Sequence, residues 1–313
     1  MNDEYNSQKP ELEKPVINIT PVTAAFLGLA LVFVLYQFGG AILTLLIFGL
    51  DFEKADINAV RLLTMGGQIL LILVPSLLLS KYIYVDVTSI LRIRFPSKKE
   101  ILVFVIGLIL LIPLLQNFLY VQNYLIEKIA ENNYLIKSIK NVIDQLDKLL
   151  ESTYTNLIIA HSFIEGLFII LIVAVVPAVC EEVFFRGYVQ SSFEYKFKPF
   201  WSALLTAVFF SIYHFNPYGL IPLILLGTYL GFSAYMSNSI FIPMILHFTN
   251  NFLAITAFFV FGSEDLISSK VKPEGEIIPN LVSFVLLSIL FISFIYYVIK
   301  NYQKFQTVKQ EGE

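Results

Sequence analysis

The stretch AVCEEVFFRG, residues 178–187, follows directly on the aliphatic run FIILIVAVVP. Two adjacent glutamates and an arginine therefore sit where the surroundings look like lipid. Each ionised side chain at the centre of a membrane helix costs roughly 2.5–3.5 kcal/mol, so such groups persist where they pair or face a wet cavity. Glu182 and Arg186 are four residues apart, share a helix face and can form an ion pair. Glu181 points about 100° away and has no local partner. It is the candidate for chemistry.

Two histidines join it. In FFSIYHF, Phe210 precedes His214 by four; in LHFTNN, His247 and Asn251 are four apart and Asn250 is three from His247. If the helix carrying Glu181 runs to about residue 195 and reverses at KFKP (196–199), Glu181 and His214 each lie roughly 21 Å from that turn and meet at one depth. His247 lies about 12 Å beyond the next turn on that side, at SNS (237–239), within reach of a tilted helix. A carboxylate, two imidazoles and a carboxamide converging in a bundle suit hydrolysis. The glutamate can take a proton from water. Imidazole and amide N–H groups can stabilise an oxyanion, each donor contributing about 2.7–4 kcal/mol. The sequence has no nucleophile-elbow serine and no HExxH helix. Glu181, His214 and His247 also form an accepted open ligand set for Zn2+, so metal-assisted and metal-free hydrolysis both stand at this point.

The elements that must position these groups are membrane helices. The 313 residues are 57% hydrophobic and 14% charged, with mean hydropathy +0.75; an ordinary soluble domain is about 25% charged. No basic block suggests nucleic acid, and the single cysteine, Cys180, excludes an internal disulfide framework. With about 20 apolar residues needed per crossing, charge-free runs predict spans near 22–48, 60–80, 101–121, 157–195, 200–214, 220–236, 240–262 and 278–299. The expected fold is all-α: a polytopic membrane helix bundle of about eight transmembrane helices enclosing a polar cavity. A polar tail (1–20) precedes the first three spans and an amphipathic segment (21–156). A catalytic core (157–262) and a last span with its tail (263–313) follow. In residues 122–156, Val142, Ile143, Leu146, Leu149 and Leu150 recur at helical spacing, predicting a helix on the bilayer or capping the bundle. The arrangement with both termini inside puts thirteen of the 21 Lys and Arg on the cytoplasmic side.

EEVFFR, FSIYH and HFTNN match, in order, the EExxxR, FxxxH and HxxxN motifs of the CPBP (Abi) family. Over roughly 160–262 the chain resembles these intramembrane endopeptidases, which are related to the type II CaaX prenyl proteases. The resemblance implies that Glu181 activates water with His214 beside it. It further implies that His247 and Asn251 form the oxyanion site and that Glu182 and Arg186 organise the motif. The family has been described both as zinc metalloproteases and as metal-free glutamate proteases. Its eukaryotic members act on prenylated CaaX proteins; bacterial members are linked to peptide maturation, bacteriocin immunity and surface-protein processing. The implied partners are the lipid bilayer and a hydrophobic or lipid-modified peptide, in a bacterial cytoplasmic membrane.

Plainer roles compete. Phe210 reads first as packing, Asn250 as polar glue between helices, His161 as an interfacial residue and Cys180 as a small buried one. Pro177 kinks its helix and frees a carbonyl one turn back. A proton- or ion-coupled transporter could use the same ionisable groups, and a non-catalytic immunity protein could keep the fold. The absence of a visible inverted repeat argues against the first, the complete Glu–His–His–Asn set against the second.

Overall fold

The structure, a computed structural model, describes residues 19–50, 55–262 and 276–306; most of the expected polar tails, at 1–18 and 307–313, lies outside these. The described chain is helical, with no strand among the described residues. Helices α1 (Pro21–Phe48) and α2 (Ile57–Ile83) precede a one-turn α3 (Val87–Ile90) and a long α4 (Lys98–Asn132). The amphipathic α5 is Tyr134–Ile158, and α6 (Phe163–Glu194) carries the glutamate pair. Pro199–Tyr213 (α7), Leu220–Ser237 (α8), Phe241–Phe261 (α9) and Ile277–Asn301 (α10) complete the bundle.

Among the described residues seven helices are long and apolar enough to cross a membrane, so this is an integral membrane protein. The eighth expected span, α7, has only 15 residues. At 1.5 Å per residue that is about 22 Å, short of a hydrocarbon core of about 30 Å. Its N-terminus is fixed by Pro199 and its C-terminus by the reversal HFNPYG, where Phe215 takes a left-handed φ of 49° and Asn216 Oδ1 accepts the Gly219 N–H at 2.7 Å. Because α7 and α8 form a hairpin whose two ends lie together, the even parity expected of the termini is the same whether the hairpin tip crosses or stops short. The third span also differs from expectation. Its helix runs on to Asn132, so the amphipathic helix occupies only the latter part of 122–156.

Local chemistry sets these limits. Ser97 and Glu100 form a reciprocal capping box at the start of α4. The fully buried Glu100 also receives Arg94 at 2.6 Å and the Tyr302 hydroxyl at 2.5 Å, tying the end of α10 to the start of α4. Asp86 caps α3. The Thr88 hydroxyl, with the Ser89 and Thr88 backbone amides, holds its carboxyl below the usual range, so this cap persists at neutral pH and is lost on acidification. Asn238, in the left-handed region, ends α8.

Packing falls into two main cores on either side of the motif helix. One joins α1, α2, α3 and α6 through Ala24, Leu29, Ile72, Phe184 and Tyr188. The other joins α4, α8, α9 and α10 through Phe104, Leu108, Tyr229, Leu246 and Val298. Helix α5 turns Asp147 and Leu157 toward the interior, while Leu135, Val142, Leu146 and Leu149 face outward. It thus packs across the bundle and leaves these apolar side chains exposed. Arg61, 1% exposed, anchors it: its guanidinium donates to the Leu157 and Ile159 carbonyls and pairs with Glu165 at 2.5 Å.

Close helix approach depends on Gly107, where an added Cβ would run into the Tyr229 hydroxyl and the Phe294 ring; that hydroxyl already donates to the Phe104 carbonyl at 2.6 Å. Gly107→Ala is expected to cost about 1–3 kcal/mol by overpacking, read as a lower unfolding midpoint in detergent. Gly66→Ala, whose Cβ meets nothing within 4 Å, is the matched control and should not lower it.

Candidate active site

Glu181, Phe210, His214, His247 and Asn251 line one cavity of about 640 Å³. Its lower wall is α6. Glu181 is largely buried, and its Oε2 has no hydrogen-bond partner among the described residues. It stands 3.9 Å from His214 Nε2. That separation is too long for a direct hydrogen bond and of the size that one water spans. His214 sits at the C-cap of α7, where its Nδ1 lies 2.7 Å from the Phe210 carbonyl. A carbonyl only accepts, so Nδ1 carries the proton and Nε2 faces Glu181.

His247 faces the other glutamate of the pair. Its Nδ1 lies 2.8 Å from Glu182 Oε1, the oxygen that also accepts from Arg186 at 2.9 Å. The carboxylate therefore orients an imidazole and a guanidinium together, with the other imidazole nitrogen free to face the cavity. Arg186, fully buried, also donates to the Gly227 carbonyl at 3.2 Å. Gly227 lets it come this close, since a Cβ there would lie 3.2 Å from the guanidinium. Phe210 is more than filler: its ring lies 4.4 Å under the Arg186 guanidinium, 4.4 Å from the His214 ring and 6.0 Å from His247, edge to face. One aromatic face thus sets the spacing of both histidines and the arginine.

Asn251 lines the cavity, but its Nδ2 donates to the Val173 carbonyl at 3.1 Å, and Asn250 donates to its Oδ1 at 3.2 Å. The Val173 carbonyl is the one freed by Pro177, four residues on, which has no N–H to return. Asn251 satisfies it and keeps a second amide N–H. Cys180 is buried beside the motif and His161 lies outside the cavity.

Four π-helical turns surround this cavity: Val34–Gly39, Ile69–Leu73, Leu171–Val175 and Val183–Val189. Each inserts an extra residue into its helix and re-aims the side chains after it. The lining also takes Tyr36 and Gln37 from the π turn of α1, Gln68 from the residue before that of α2, and Tyr154 and Glu151 from α5. Sequence reasoning placed the site within 157–262 alone and missed these walls. The available signal was the polar residues Tyr36, Gln37 and Gln68 inside otherwise apolar spans. Helix α1 also braces the motif directly, the Tyr188 hydroxyl donating to the Ala24 carbonyl at 2.7 Å and Gln37 to the Tyr213 carbonyl at 3.0 Å.

The donors do not make a three-ligand metal site. Among the described residues no group of three His, Cys, Asp or Glu side chains stands close enough to hold a metal ion. The set Glu181, His214 and His247 is divided, with His247 turned onto Glu182.

Comparison with known proteins gives one family. Residues 163–253, which contain every motif residue above, match the family model described as type II CAAX prenyl endopeptidase Rce1-like. No curated protein and no solved structure matches the chain.

The Asn251–Val173 bond can be tested by a cycle. Asn251→Leu strands the Val173 carbonyl and is expected to cost about 1–3 kcal/mol. Pro177→Ala supplies a backbone N–H to that carbonyl, so the double variant should recover stability beyond the sum of the two single changes, measured as unfolding midpoints in detergent.

Proposed function

We propose, from the match of residues 163–253 to the type II CAAX prenyl endopeptidase Rce1-like model, that this chain is an intramembrane endopeptidase acting through water activated by Glu181. Its substrates are prenylated CaaX-like or otherwise hydrophobic peptides that reach the cavity from the bilayer. The observation that carries the reading is the pair formed by Glu181 Oε2 and His214 Nε2, 3.9 Å apart with Oε2 free of protein partners. A water between them is polarised by both groups. Glu181 takes its proton as the oxygen attacks the scissile carbonyl, giving a tetrahedral intermediate. The oxyanion is met by the His247 imidazole and by the second amide N–H of Asn251. Collapse of the intermediate breaks the C–N bond, and the proton held on Glu181 passes to the leaving amine.

Glu182 and Arg186 act through His247. The shared carboxylate fixes which imidazole nitrogen faces the substrate, and Arg186 holds that carboxylate in place. No step is routed through zinc, because the donor set does not assemble as three ligands. We place the protein in a bacterial cytoplasmic membrane with both termini in the cytoplasm, on the Lys and Arg distribution.

Purified protein in liposomes with an S-prenylated CaaX peptide tests the reading. Glu181→Gln is expected to lower kcat about 10²–10⁴-fold and His247→Gln about 10²–10³-fold. Undiminished cleavage by Glu181→Gln overturns the mechanism. A strong zinc chelator is expected to leave the rate unchanged; loss of activity restored by zinc would mean a metal-dependent reaction. Proton flux that depends on His214, without proteolysis, would point to transport.

A further inference from the structure

The wall of the cavity built by α1 and α2 carries polar groups that the mechanism leaves unused. Gln68 is 7% exposed and immediately precedes the π turn of α2. Tyr36, in the π turn of α1, lines the same wall. The Gln68 Oε1 is buried and has no hydrogen-bond partner among the described residues. Both residues line the cavity that contains Glu181, His214 and His247.

A helix that only packed would carry an aliphatic residue here, as its neighbours in MGGQILLIL do. A buried acceptor without a donor is costly in an apolar interior and persists where something supplies the donor. The cavity's proposed occupant has such donors. A peptide drawn out for cleavage exposes an unpaired backbone N–H at each residue, and within the membrane these must be met by the protein.

We propose that Gln68 is a substrate-positioning residue: its Oε1 accepts one backbone N–H of an extended peptide lying across the cavity. The assignment rests on the endopeptidase reading and adds a selectivity to it. The substrate residue opposite Gln68 must carry an N–H, so proline is excluded there.

The test uses a fluorescent S-prenylated CaaX peptide and a series of its analogues, each N-methylated at one backbone amide. Binding is measured to Glu181→Gln, and kcat and KM to protein with Glu181 intact, each with and without Gln68→Leu. N-methylation at one position is expected to weaken binding about three- to tenfold when Gln68 is present and to have no added effect in Gln68→Leu, the range of one neutral hydrogen bond. Gln68→Leu alone should raise KM more than it lowers kcat. Gln68→Glu, which keeps an acceptor at the same reach, should restore the position-specific penalty; this separates lost positioning from misfolding. Equal penalties with and without Gln68, or no peptide bound at all, overturn the assignment. A Gln68-dependent penalty together with full cleavage by Glu181→Gln would leave the subsite standing and remove the glutamate mechanism.

Discussion

One buried carboxylate organises the centre of this protein. Glu182 Oε1 accepts from both Arg186 and His247, and the second contact joins α6 to α9 inside the bundle. Replacing such a pair by apolar groups can be neutral, but removing one partner leaves an uncompensated charge and costs about 3–5 kcal/mol. The guanidinium rests on Phe210 and reaches the Gly227 carbonyl, so α7 and α8 are drawn into the same point. Glu181, the adjacent residue, is thereby held at a defined angle to His214 while keeping an oxygen uncommitted. The division of labour between the two glutamates follows from their being neighbours on a helix. One is consumed by structure, and the other is left with unused capacity.

The irregularities of the helices serve the same arrangement. Pro177 removes one backbone donor and Asn251 replaces it, so a kink that would leave a stranded carbonyl becomes a link between α6 and α9. The π turns concentrate where α1, α2 and α6 meet the cavity. In a membrane interior the backbone must satisfy itself; these departures survive because side chains from other helices complete them.

Much of this was legible in the sequence, for identifiable reasons. Charges and turn residues are expensive or conspicuous in apolar sequence, so the C-terminal end of α6 and both ends of α8, α9 and α10 could be read to within a few residues. The Glu182–Arg186 pair followed from helical spacing, and the meeting of Glu181 with His214 followed from equal distances to one turn. The partner of His247 did not follow. Glu182 lies 65 residues away, and a depth estimate cannot say which of two adjacent glutamates a tilted helix will meet. The α1 and α2 walls were hidden because π turns break the 3.6-residue period on which face assignments rest. The 15-residue length of α7 was obscured by the long charge-free run from 199 to 263, in which every segment looks equally able to span.

The bond from Tyr302 to Glu100 links residues 202 positions apart. Helix α4 therefore leaves the ribosome with a buried glutamate and an open Gly107 groove long before α10 exists to cover them. Insertion of the early helices and closure of the bundle are separate events in the life of this chain. Its final assembly waits on translation of nearly the whole sequence.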